Sequence, residues 1–216
     1  MEFCGGTLRT RFQRTSVPNS PVTVVHTVAG SGKTTFIRNL LIDHPQLVAR
    51  TYGTPDVPNL LGYGIRDRHG DAHIVDEYPA ADLRSHPSVS IVFADPLQHH
   101  GEARPAHFTC SHTHRFGKST CSLLGTLGVY CTSDKEDSVT FAGAYLAEPV
   151  GTLIALGEDA ELVLDNHRVE YLTPCQALGL TFPSVTLLTD APIEDQPPVS
   201  RYIALTRHTD SLLILN

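Results

Sequence analysis

Val28-Ala29-Gly30-Ser31-Gly32-Lys33-Thr34-Thr35 sets two glycines, a lysine and three hydroxyl side chains within eight residues. That is the pattern of a loop that wraps phosphate oxygens. Gly30 and Gly32 let backbone N–H groups turn toward the ligand, Lys33 reaches the outer phosphates as a point charge, and Thr34 is placed to ligate Mg²⁺. Gly30, Ser31, Gly32, Lys33, Thr34 and Thr35 are therefore the expected nucleotide-binding residues. The full spacing asks for glycine at position 27 as well, and the chain has Thr27 there, which leaves the geometry of the first turn open.

Ile74-Val75-Asp76-Glu77-Tyr78 supplies the other half of a nucleoside triphosphate site. Asp76, at the end of an apolar run, is expected to hold Mg²⁺, and Glu77 to act as the base that polarises the attacking water. Gln98, in Phe93-Ala94-Asp95-Pro96-Leu97-Gln98, is expected to orient that water or to sense the γ-phosphate. Arg115 and Arg207 are the expected arginine fingers. Taken singly, each feature has a plain alternative: a glycine-rich turn, a solvated strand end, a surface arginine in an ion pair. Mg²⁺ with ATP or another nucleoside triphosphate is the cofactor set this chemistry requires.

These side chains need a scaffold that brings loop and strand ends together. The β-branched run at residues 22–28 suits a buried strand, and residues 34–42 follow it with Phe36, Ile37, Leu40 and Leu41 on one helical face. Residues 73–78 and 89–95 are further apolar runs ending in acidic residues, so a parallel α/β sheet is expected. The pattern restarts beyond Ala103, with a helix over 117–127, strands over 152–156 and 185–189, a short helix over 201–207 and a strand over 212–215. Residues 190–199, with three prolines among acidic residues, read as an exposed loop. The expected domains are a basic arm over 1–21, a nucleotide-binding lobe over 22–110 and a second lobe over 111–216.

The chain of 216 residues is 41% hydrophobic and 18% charged, the composition of a globular protein rather than a disordered one. Its net charge is −7 with histidines neutral. The charge is uneven: residues 1–120 hold 12 basic and 10 acidic side chains, residues 121–216 hold 4 and 13. A polyanion should meet the first part and be repelled by the second. Five cysteines without a CxxC pair argue for a reducing compartment, and the Cys110, His112, His114, Cys121, Cys131 spacing matches no common zinc site. No apolar run approaches the length of a membrane span.

The order GSGKT, DEY, ADPLQ, THRFG, PCQALGLTF and YIALTRH resembles the motif series of superfamily 1 RNA helicases of positive-strand RNA viruses. More narrowly, the short length and the wording around residues 174–182 and 191–194 resemble the triple gene block protein 1 family of potexvirus- and carlavirus-type plant viruses. The resemblance implies two small RecA-like P-loop lobes with parallel sheets and no large inserted subdomains. It implies an RNA-stimulated NTPase or RNA helicase, acting as a cell-to-cell movement protein and a suppressor of RNA silencing. Single-stranded viral RNA, viral coat protein, the other movement proteins and host silencing factors are the implied partners. Host cytoplasm, plasmodesmata or cytoplasmic inclusions are the implied locations. Gln176 and Thr181 match a motif that lies, in such helicases, between the RNA and nucleotide sites, and the resemblance implies that they too bind RNA.

RNA contacts should fall mainly on the backbone and depend strongly on salt, because the chain has no Trp and no basic run. Arg9, Arg11, Arg14, Arg66 and Arg68 are the expected contacts. Two lobes of about 105 residues make a stripped motor, for which homo-oligomerisation is expected. The alternatives are a transport adaptor that binds RNA and proteins with a vestigial nucleotide site, and a small-molecule P-loop kinase. A kinase gives no reason for Gln98, Arg207 or the 176–182 motif in this order.

Overall fold

The computed structural model describes residues 6, 8–57 and 62–216. The chain divides into two compact units, Met1–Ser111 and His112–Asn216.

The first unit is built on a sheet in the order β1 (Gln13–Arg14), β6 (Phe108–Cys110), β2 (Thr23–Thr27), β5 (Ile91–Ala94), β4 (Ile74–Asp76), β3 (Ala49–Thr51). All neighbours run parallel except β1, which pairs antiparallel with β6. Strands covered on both faces read as continuous apolar runs, and successive residues here serve opposite cores. Val25, Ile74, Ile91 and Phe93 pack with Phe36, Ile37, Leu40 and Leu41 of helix α1 (Lys33–Asp43), while Val24, Val75, Val92 and Ala94 pack with Tyr78 and Ala72. The central strand β2 thus hands the chain directly into the glycine loop and α1.

Part of the segment expected as a basic arm packs into this unit. Leu8 and Phe12 are buried in the α1 core, with the Phe12 ring edge-on to Phe36 at 4.9 Å. Arg14 in β1 donates to the carbonyls of Thr15 (2.8 Å), His107 (2.9 Å) and Val17 (2.5 Å) and lies over the Phe108 ring. It acts as a strut between the segment and β6.

The second unit holds a four-stranded, all-parallel sheet in the order β7 (Ser138–Ala142), β10 (His208–Leu215), β9 (Phe182–Thr189), β8 (Thr152–Leu156). Its helices are α2 (Lys118–Thr126), α3 (Glu158–His167), α4 (Pro174–Ala177) and α5 (Pro198–Leu205). The α3 face buries Ala160 and Leu164 against Leu153, Ala155, Leu188 and Leu215. Two expectations shift here. Helix α5 starts inside the stretch expected as loop, because Pro198 is tolerated at the first helical position, where its missing N–H is no loss. It ends at Leu205, and Arg207 falls in the tight connection to β10.

Candidate functional site

The site is assembled where β2 ends. Gly30 (φ 74°) and Gly32 (φ 79°) both take the left-handed backbone that lets the loop fold back over the start of α1. Thr27 stays in the strand, pairing with Cys110 of β6. Among the described non-glycine residues only Glu77 and Arg168 have positive φ, so position 27 does not call on glycine's freedom. Helix α1 has neither a side-chain cap nor an acidic residue in its first turn. Its first N–H groups and the positive end of its dipole therefore face the loop uncompensated, the arrangement that binds phosphate. The buried hydroxyls of Thr27 and Ser31 lack a protein partner, donors that suit an oxygen-rich ligand. Thr34 and Thr35 lie in the first turn of α1, Thr35 exposed.

The acidic pair faces this loop. Asp76 ends β4 in register with Thr51 and Phe93 of the neighbouring strands and is 5% exposed. The Lys33 ammonium lies 2.6 Å from Asp76 Oδ1 and also donates to Glu77 Oε1. Burial alone would make Lys33 easier to deprotonate, yet the two carboxylates outweigh it and hold the ammonium above its ordinary range. Burial and the neighbouring Glu77 push the Asp76 carboxyl upward despite Lys33. Burial would raise Glu77 too, but Lys33 and His99 together bring it down to about 2. Glu77 is thus the carboxylate held ionised, as a proton acceptor must be.

Glu77 sits at φ 55°, ψ 43°, a left-handed conformation that costs a non-glycine residue of order 1–3 kcal/mol and clusters at functional sites. Its second oxygen, Oε2, meets His99 Nε2 at 2.7 Å. In the sequence, His99 carries no signal that sets it above its neighbour Gln98. Asp95 caps the short 3-10 turn Pro96–Gln98, and the Gln98 amide donates back to Asp95 Oδ2 at 2.5 Å, so the turn delivers residue 99 to Glu77. A second unforeseen contact comes from Arg11, whose guanidinium donates to the Ser31 carbonyl at 3.2 Å. Of the five arginines expected to meet RNA, Arg11 is thus tied to the nucleotide loop and Arg14 to β6. Arg9, Arg66 and Arg68 are exposed.

The arrangement has the parts for phosphoryl transfer to water. An open helix N-terminus and the Lys33 ammonium are groups able to bind phosphates, Thr34 and Asp76 offer hard oxygen donors of the kind Mg²⁺ takes, and Glu77 is a carboxylate able to accept a proton. The metal, when bound, would neutralise charge on the phosphate oxygens. A phosphate bound in the loop would compete with the two carboxylates for Lys33.

Arg115, Arg207, Gln176 and Thr181 belong to the second unit. Arg115 donates to the Thr206 carbonyl at 3.1 Å. Arg207 is 1% exposed and donates to the Ile203 carbonyl (3.0 Å) and Thr206 Oγ1 (3.0 Å). Gln176 closes a reciprocal cap with Thr173 at the start of α4, and Thr181 is exposed. The second unit also buries a cluster that sequence reading missed: Asp137, its side chain 0% exposed, accepts from Ser119 N (2.8 Å), Thr120 Oγ1 (2.6 Å) and His208 Nε2 (3.2 Å).

Residues 23–216 match the sequence model of the viral superfamily 1 RNA helicase core domain. The chain is 99% identical over 216 residues, the whole of both chains, to the movement and silencing protein TGBp1 of Lily virus X. It is 42% identical over 209 residues to the movement and silencing protein TGBp1 of Plantago asiatica mosaic potexvirus, covering 93% of this chain and 90% of that one. Among solved structures, a complex of Arterivirus nonstructural protein 10 (helicase) with DNA superposes with a TM-score of 0.66 at 22% identity, over 90% of this chain and 60% of that one. This last likeness is one of fold, and the present chain spans 60% of the arterivirus helicase chain.

Proposed function

Because the chain belongs to the TGBp1 family of movement and silencing proteins, within the viral superfamily 1 RNA helicases, we propose that it is an RNA-stimulated NTPase and RNA helicase serving movement of viral RNA between cells and suppression of RNA silencing. The single observation that carries the enzymatic part is the ion cluster at the loop: Lys33, first residue of an uncapped helix, held between Asp76 and a backbone-strained Glu77. A vestigial site would have no need to keep a left-handed glutamate beside a buried lysine.

In this reading Gly30, Ser31, Gly32, Thr34 and Thr35 bind the phosphates with Lys33. Thr34 and Asp76 hold the metal, and Glu77 takes the proton of the attacking water. Coat protein, companion movement proteins and host silencing factors are the partners it assigns, with homo-oligomers as the working form in the host cytoplasm. Arg9, Arg66 and Arg68, exposed on the unit whose 10 basic and 10 acidic side chains balance, are the RNA contacts it favours. Gln98 stays in it as the coupling residue, Arg115 and Arg207 as the arginines that contact phosphates, and Gln176 and Thr181 as RNA-binding residues.

One observation favours a second reading, an adaptor that binds RNA without turnover: within its own unit Arg207 is buried and bonded to backbone. The two readings part on steady-state ATP hydrolysis with and without single-stranded RNA. RNA-stimulated turnover that Lys33→Ala and Glu77→Gln each reduce at least about 100-fold supports the motor. Turnover equal to that of the variants, with RNA still bound, supports the adaptor.

A further inference from the structure

Glu77 has two carboxylate oxygens, and each has a different partner. Oε1 accepts from Lys33 and Oε2 lies 2.7 Å from His99 Nε2. The Lys33 side chain is 11% exposed and bridges Asp76 as well as Glu77. Phosphates in the loop draw on that same ammonium, so Lys33 cannot both neutralise a nucleotide and keep Glu77 aimed. His99 carries no such second duty. Its side chain is 15% exposed, and it stands directly after a 3-10 turn fixed by the Asp95 cap and the Gln98 amide.

We propose that His99 is a positioning residue for the hydrolytic step, its Nε2–H holding Glu77 Oε2 so that Oε1, once released by Lys33, faces the attacking water. The inference rests on the NTPase reading above. In the step it serves, the water oxygen bonds to the γ-phosphorus as the bond from phosphorus to the bridging oxygen breaks. The electron pair leaves with the nucleoside diphosphate, and the water proton passes to Glu77 Oε1 and then to solvent. His99 keeps its proton throughout. A holder of this kind acts through geometry: misplacing a base by about 1 Å costs up to about 100-fold in rate without altering substrate binding.

The test uses the full chain with ATP and single-stranded RNA. His99→Ala should lower kcat about 10- to 100-fold while KM and the Kd for a fluorescent ATP analogue stay within about twofold. His99→Gln, whose amide N–H reaches about as far as Nε2, should recover most of the rate, and His99→Asn, which is shorter, should not. In single-turnover experiments His99→Ala should add no further loss in a Glu77→Gln background, because both substitutions disable one device. If His99→Ala folds poorly, the Gln and Asn variants carry the comparison by themselves. Unchanged kcat in His99→Ala, equal rates for Gln and Asn, or an undiminished effect in the Glu77→Gln background would overturn the proposal. A wild-type protein without turnover would instead overturn the NTPase reading and this inference with it, and would be seen before any substitution at position 99.

Discussion

The two units use one local device, a helix N-terminus beside a carboxylate, for opposite purposes. In the first unit α1 begins at Lys33 with no cap, and Asp76 and Glu77 engage the lysine side chain rather than the N–H groups of α1, Asp76 Oδ1 also accepting from the Glu77 N–H at 3.0 Å. In the second unit α2 begins at Lys118, and Asp137 plugs it, accepting from the backbone of Ser119 at 2.8 Å and from the hydroxyl of Thr120. Gly117 completes the plug, since a Cβ there would lie 2.5 Å from the Asp137 nitrogen. An uncapped terminus remains able to bind an anion, whereas a terminus capped from within the fold is a structural joint. Cation-held carboxylates can be released by a competing phosphate. Carboxylates held by backbone and hydroxyl donors have no such exchange partner.

The comparison breaks most directly by removing one member from each side. Lys33→Ala should abolish turnover, by at least about 100-fold, measured as RNA-stimulated phosphate release. Asp137→Ala strands the Ser119 N–H in a buried place and leaves the Thr120 hydroxyl and the His208 ring only each other, 2.9 Å apart. At about 1–3 kcal/mol for an unsatisfied buried group, it should lower unfolding stability by about 1–3 kcal/mol in urea titration. Its effect on the affinity of a fluorescent ATP analogue should stay within about twofold. Lost nucleotide binding with unchanged stability in Asp137→Ala would mean that the two termini are not functional opposites.

The contrast also explains what was legible in the sequence. The loop and the α1 face could be read because their chemistry is local: Gly30 to Thr35 are consecutive, and Phe36, Ile37, Leu40 and Leu41 share one side of a helix. Asp76 and Glu77 could be read because a strand end is a predictable place. His99 was hidden by the Pro96–Gln98 turn, which points residue 99 rather than 98 at Glu77. Asp137 and His208 meet across 71 residues, with no periodicity to announce it. Arg11, Arg14 and Arg207 looked like polyanion contacts by residue type, but a guanidinium satisfies backbone carbonyls equally well. Leu8 and Phe12 did carry a signal, an i, i+4 apolar pair within the polar segment, and they anchor it. Strands β3 and β6, of three residues each, are too short to show alternation.

A smaller effect sharpens the view of the open terminus. Thr27→Gly restores the consensus spacing, yet Thr27 is a paired strand residue and the turn is made by Gly30 and Gly32. The substitution removes one buried hydroxyl donor, so it should weaken ATP binding about two- to tenfold and cost about 0.5–1 kcal/mol of stability through added chain entropy. A gain in affinity of tenfold or more would show that the loop is held in a poor geometry by threonine.

The smallest effect is in pH, and it tests the closed terminus. Burial lowers the His208 pKa below its ordinary 6.5 in spite of the hydrogen bond to Asp137. The unfolded chain then binds a proton near pH 6.5 that the folded chain refuses, so stability is full above that pH and falls as pH drops below it. Burial opposes ionisation of Asp137 too, but donors from Thr120, the α2 backbone and His208 outweigh it and hold that carboxyl below its ordinary 3.8. The stability it contributes is kept above that value and lost only as pH falls through the lower folded pKa. Urea midpoints should therefore decline in two stages on acidification, the first beginning near pH 6.5 and the second below about pH 4. Burial lowers the His26 pKa as well, so a His208→Gln variant should lose part of the first stage and keep the second. A first stage undiminished in His208→Gln would assign it wholly to other histidines and leave the joint at α2 insensitive to protons in that range.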